Sequence, residues 1–107
     1  MLKQMIVQFR IQGHGSPEDL DRLVEIEERL DDALQRNRSG YVDGHDIGSG
    51  TMNLFLFVRT WKQGEWFMLE YLKHQSWATE AVLAKRLPND AYKVLWPEGF
   101  RGEFAIL

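Results

Sequence analysis

The stretch Met52-Asn53-Leu54-Phe55-Leu56-Phe57-Val58 constrains the fold more than any other part of this chain. In an extended backbone the period of two sends Met52, Leu54, Leu56 and Val58 to one side, and Asn53, Phe55 and Phe57 to the other. A strand apolar on both faces belongs in the middle of a sheet, with both faces covered. The rest of the chain must supply neighbouring strands and the covering layers.

A first neighbour is legible near the start, where Met5, Val7, Phe9 and Ile11 alternate with Gln8, Arg10 and Gln12. This is the pattern of a strand with one buried and one wetter face. Gly13-His14-Gly15-Ser16-Pro17 then breaks the strand, and Ser16, Pro17, Glu18 and Asp19 make a helix start. The serine hydroxyl can accept from an orphan amide, proline needs no donor at the first position, and the acids suit the positive helix end. At 100° per residue Leu20, Leu23, Ile26, Leu30, Ala33 and Leu34 gather on one side. Glu18, Arg22, Glu25, Arg29, Asp32 and Arg36 gather opposite, as acid-before-base pairs four residues apart. The stop is expected over Asn37 to Gly40, with Gly40 free to take positive φ.

A short second strand is expected from Tyr41, joined to Met52–Val58 by a turn at Gly48-Ser49-Gly50. Thr60 is placed to cap a second helix running to about His74, although Gly64 weakens it. Residues 77–87 are ambiguous: Trp77-Ala78 with Ala81-Val82 fits a helix, and Val82 to Leu87 fits a strand. We read a strand, because a hairpin over Pro88-Asn89-Asp90 gives Tyr92 to Trp96 a partner. Pro97-Glu98-Gly99 ends that strand, and Phe104 to Leu107 is a tail apolar enough to dock.

The order strand, helix, strand, strand, helix, strand, with one strand added, predicts a single α+β domain over 1–107. The arrangement is a ferredoxin-like βαββαβ sandwich with an extra C-terminal strand: an antiparallel sheet with two helices on one face. Its 107 residues, 44% hydrophobic, suffice for one core. The chain has no cysteine, which excludes disulfides, thiolate metal sites and cysteine nucleophiles. Residues Met1 to Gln12 alternate polar with apolar and read as neither signal peptide nor anchor, so a cytoplasmic location without membrane attachment is expected.

The net charge of −3 is unevenly spread, since Pro17 to Asp32 holds eight acids against Arg22 and Arg29. One helix is acidic and the remainder mildly basic. No concentrated basic patch is evident, which argues against nucleic acid as a partner.

The chain resembles a group of small bacterial proteins of this arrangement in its segment Asp43-Gly44-His45-Asp46-Ile47-Gly48-Ser49-Gly50-Thr51-Met52-Asn53-Leu54-Phe55 and in Leu95-Trp96-Pro97. No activity is assigned to that group, so the resemblance implies a fold and no chemistry.

No complete catalytic signature is present. The best candidate site is Asp43 to Gly50, which holds two carboxylates (Asp43, Asp46), the His45 imidazole and the Ser49 hydroxyl among glycines. His45 with Asp43 or Asp46 as orienter would suit acid–base chemistry. The alternative is a polar hairpin whose aspartates close turns. A metal site on Asp43, His45 and Asp46 is not expected, because alternation sends residues 45 and 46 to opposite faces. Gly48-Ser49-Gly50-Thr51 lacks the following helix and lysine of a phosphate cradle. Glu27 and Asp31 fall at the margin of the apolar side of the first helix, as a paired-carboxylate site or as rim residues. His14 at the strand–helix junction and His74 near the end of the second helix have simple structural readings.

The face bearing Asn53, Phe55 and Phe57 is left uncovered by helices in this fold. A second copy of the chain, its own tail or a small hydrophobic ligand would serve as cover. An RNA-stacking face is disfavoured by the acidic balance. We therefore expect a non-enzymatic binding module, requiring no cofactor, that forms a homodimer or grips a protein partner through Asn53, Phe55, Phe57 and Ser49, with the acidic helix as a second recognition surface. The alternative is a dimeric ferredoxin-like enzyme or small-molecule binder with His45 in a hydrophobic pocket.

Overall fold

The computed structural model describes residues 3–106. Among them five strands, β1 (Lys3–Arg10), β2 (Gly40–Gly48), β3 (Thr51–Val58), β4 (Ala81–Arg86) and β5 (Tyr92–Trp96), form one antiparallel sheet in the order β2-β3-β1-β4-β5. Helix α1 (Pro17–Arg36) follows β1, and α2 (Trp61–Lys73) follows β3. This α+β order is consistent with a ferredoxin-like arrangement, from which it differs by β5 at the outer edge of β4. No helix is long and apolar enough to cross a membrane among the described residues.

The apolar periodicities converge as their spacing requires. Leu23, Ile26, Leu30 and Leu34 of α1 and Met68 and Leu72 of α2 pack on Met5, Val7 and Phe9 of β1 and on Met52, Leu54, Leu56 and Val58 of β3. Each large side chain so buried contributes about 1.5–3 kcal/mol. Both helices thus lie on one face, and β1 and β3 occupy the interior of the sheet.

The start of α1 is the expected one. Ser16 Oγ accepts from the Asp19 amide (3.1 Å) and the Asp19 carboxylate accepts from the Ser16 amide (3.0 Å), a reciprocal cap with Pro17 next to it. Of the three expected ion pairs along α1, Glu25–Arg29 and Asp32–Arg36 form. Arg22 turns instead to Glu80, outside the helix.

The helix stop differs from expectation. Arg38, not Gly40, takes the left-handed conformation (φ 56°). The Ser39 amide donates to the Leu34 carbonyl and the Arg38 amide to the Gln35 carbonyl, both at 3.0 Å, which closes a Schellman motif. Gly40 already belongs to β2, which spans nine residues and is longer than the short strand expected. Because a side-chain Cβ is strained at positive φ, Arg38→Gly should stabilise the protein by about 1 kcal/mol. A rise in the urea midpoint at unchanged m-value would show it.

In α2, Thr60 caps the Gln63 amide (3.2 Å). Gly64 sits on β3, where a Cβ would stand 2.5 Å from the Val58 Cβ, so close approach accounts for a residue that helix propensity disfavours. The ambiguous stretch divides. Ser76–Glu80 forms a 3₁₀ turn, and Ala81–Arg86 is the strand that pairs with Tyr92–Trp96.

Candidate functional site

The segment read as the best candidate is the β2–β3 hairpin. Its two turn residues, Ser49 (φ 53°) and Gly50 (φ 84°), both have positive φ, which matches the turn twist that tight hairpins favour. The turn amides are occupied: Gly50 N–H donates to the Gly13 carbonyl (2.7 Å), and Ser49 N–H points to His14 Nδ1 (3.5 Å). The hairpin tip is thereby fastened to the β1–α1 loop, and the exposed His14 has a structural contact.

A bulge between Val42 and Gly44 makes Asp43 the extra residue of β2, and it points to solvent. Beyond it Val42, His45 and Ile47 lie opposite Leu56, Leu54 and Met52, on the helix side. Tyr41, Gly44 and Asp46 lie opposite Phe57, Phe55 and Asn53, on the outer side. Asp43, His45 and Asp46 are therefore sent three different ways. Among the described residues no cluster of three or more His, Asp or Glu side chains stands where a metal could be held.

His45 reaches across to α1, and its Nδ1 lies 2.8 Å from Glu27 Oε1. Their side chains are 33% and 20% exposed, so the pair is partly sheltered from solvent. Glu27, rather than either aspartate of the segment, is the carboxylate that orients the ring. Asp31, one turn further on, accepts from the Val42 amide (2.8 Å) and from Gln35 (2.8 Å). Glu27 and Asp31 do not form a paired-carboxylate site. They clip α1 to β2, which explains two acids at the margin of an apolar stripe. Among the described residues, clefts of about 370–620 Å³ open on the surface at the α1–β2–β3 junction, beside β5, along α1 and at both ends of β1, and His45 lines none of these. The raised pKa of Tyr71, caused by burial and partly offset by Arg29, belongs to the aromatic group of Phe67, Tyr71 and Trp77.

The outer face of the sheet carries a chain of hydrogen bonds that crosses three strands. Asn53, 1% exposed, donates through Nδ2 to Asp46 Oδ1 (2.8 Å) and more loosely to Thr51 Oγ1 (3.4 Å). Gln8 Nε2 donates to Asn53 Oδ1 (2.9 Å) and to the Ala105 carbonyl (2.9 Å). The tail after β5 is thus held over the outer side of β1. Phe104 packs on Tyr92 with ring centroids 5.2 Å apart, and Ile6 and Ala84 beneath this half of the face are fully buried. Docking of Phe104 is the expected behaviour. Leu107, read as part of the same tail, lies outside the described residues.

Phe55 and Phe57 sit on the other half and remain half-buried. Phe57 and Tyr41 pack with centroids 5.7 Å apart, and a Cβ built on Gly44, opposite Phe55, would meet nothing within 4 Å.

No protein-family model, curated protein or solved structure matches this chain.

Of the residues singled out in the sequence, the fold brings together Asn53 with Asp46, and Phe57 with Tyr41. His45 and Asp43 stand apart from that group, on the helix side and in solvent, and Ser49 is at the hairpin tip. Sequence reading missed Gln8, whose polar side chain at a mid-strand position was the available signal. It also missed the partnership of Glu27 with His45.

Proposed function

We propose that this protein is a small cytoplasmic binding module that self-associates through the outer face of its sheet, without catalytic activity of its own. In this reading its ferredoxin-like sheet pairs with a second copy over Tyr41, Phe55 and Phe57. The observation that carries the proposal is the unequal cover of that face: the described tail shelters the β1–β4–β5 half, and the aromatic strip on β2–β3 is only partly buried. Partly hydrated aromatic rings on a flat sheet gain most by packing against a like surface, and aromatic anchors dominate such contacts. The acidic side of α1 is a second recognition surface, where Glu18, Asp21 and Glu28 are exposed with no cationic partner among the described residues.

Sedimentation equilibrium tests the proposal. The intact chain should show a mass twice its 12.6 kDa, dissociating on dilution. Phe55→Ser with Phe57→Ser should weaken the dimer by at least about tenfold, the loss expected when buried ring area is removed from an interface. Circular dichroism of the double variant checks that the sheet is retained. A mass of one chain at all concentrations overturns the reading.

A further inference from the structure

We propose that the cleft at the junction of α1, β2 and β3 binds a small ligand with an oxyanion group, a phosphate or a carboxylate, on an apolar or aromatic body. The cleft has a volume of about 550 Å³, and Arg38, Arg59, Tyr41, Val42 and Val58 contribute to its walls. That size is in the range of small-molecule sites, and the mixture of apolar walls with a few polar groups is typical of them.

Two arginines, Arg38 and Arg59, line this one cleft from segments that the fold ties together. The Arg59 amide donates to the Ser39 carbonyl (3.0 Å), and Gly40 pairs with Val58, so the 38–40 and 58–59 backbones are held side by side. Neither guanidinium has an ion-pair or hydrogen-bond partner among the described residues. Arg22, Arg29, Arg36 and Arg86 engage carboxylates, and Arg10 and Arg101 share with Arg38 and Arg59 the lack of one among the described residues. The acid on the cleft wall, Asp31, accepts from the Val42 amide and Gln35, neutral donors that leave its charge in place, so the cleft carries two positive charges against one negative. Two arginines lining one cleft against a single carboxylate offer forked donors that suit bidentate recognition of a planar carboxylate or a phosphate.

A second, independent observation is the backbone of Arg38. It holds the left-handed position closing a Schellman motif, where glycine is the favoured residue and a side chain is strained. The strained backbone fixes where the Arg38 side chain leaves the chain, beside the cleft it lines. The adjacent end of α1 would repel an anion, but the Asn37, Arg38 and Ser39 amides satisfy its last carbonyls. Tyr41 and Val42, both only partly buried, supply apolar wall at the edge of β2.

Chemical-shift titration of the ¹⁵N-labelled full chain at constant ionic strength tests the site with phenyl phosphate, benzoate and inorganic phosphate. Saturable shifts are expected at the amides of residues 38–42 and 58–59, with phenyl phosphate or benzoate binding more tightly than inorganic phosphate. Arg38→Gly, which relieves the strained position, and Arg59→Gln should each weaken binding by at least about tenfold, the loss of one charge-assisted contact. The absence of saturable shifts with all three probes overturns the proposal, and so does binding that both variants retain. Tyr41 is common to this cleft and to the proposed dimer face, so the titration is repeated on the Phe55→Ser/Phe57→Ser variant, where retained binding separates the site from self-association.

Discussion

Gly40→Ala is expected to destabilise the protein by about 3 kcal/mol or more, a large share of the roughly 5–15 kcal/mol by which a domain of this size is stable. A Cβ at Gly40 would stand 1.9 Å from the Phe57 carbonyl oxygen and 3.0 Å from the Val58 Cα, both of them backbone atoms of the neighbouring strand. Rotamer adjustment cannot relieve a clash with backbone. The β2–β3 pairing must open at this end or β2 must shift, and a shift of one residue would turn the whole outer face inward. Urea unfolding followed by tryptophan fluorescence measures the loss. A change below about 1 kcal/mol would show that the two strands do not approach this closely.

Asn53→Leu is expected to cost about 2 kcal/mol and to loosen the C-terminal tail. Leucine keeps roughly the volume of the side chain, so the cost is polar. The Gln8 amide loses an acceptor in a position only 9% exposed, and Asp46 loses its donor. Gln8 also holds the Ala105 carbonyl, so a displaced Gln8 side chain weakens the anchor of the tail. Limited proteolysis should cut residues 97–106 of the variant faster than those of the parent. Equal cleavage together with unchanged stability would mean that the polar chain across the sheet carries no weight.

Both effects arise from positions whose meaning was open or misread in the sequence. Gly40 carries the commonest signal for a helix stop, a glycine just after an amphipathic run, yet the left-handed residue is Arg38. Local preference names the residue best suited to a conformation, and packing decided which residue received it. Gly64 is similar: its reason lies in contact with Val58 and not in α2 itself. At 77–87 the helical and extended preferences were balanced over a few residues, and the chain satisfies each in turn.

The site was legible in part. Alternation correctly separates His45 from Asp46, and the wheel position of Glu27 and Asp31 marked them as unusual. Their partners were hidden, because a surface acid at the rim of an apolar stripe reads the same with or without a strand beside it. The arginine cleft gave no sequence signal, since Arg38 and Arg59 are far apart in the chain and neither sits in a motif.

Signals acting within a turn or two of the chain were determined by the sequence alone: the strand periods, the Ser16 and Thr60 caps, the Ser49-Gly50 turn and the apolar stripe of α1. Only the tertiary structure decided the links between distant residues, such as Gln8 with Asn53 and Ala105, His45 with Glu27, and Gly40 with the Phe57 carbonyl. The reason is physical. Dihedral preference and periodicity are properties of neighbours along the chain, whereas hydrogen-bond partners and backbone clearances depend on how closely whole elements approach once the core is packed.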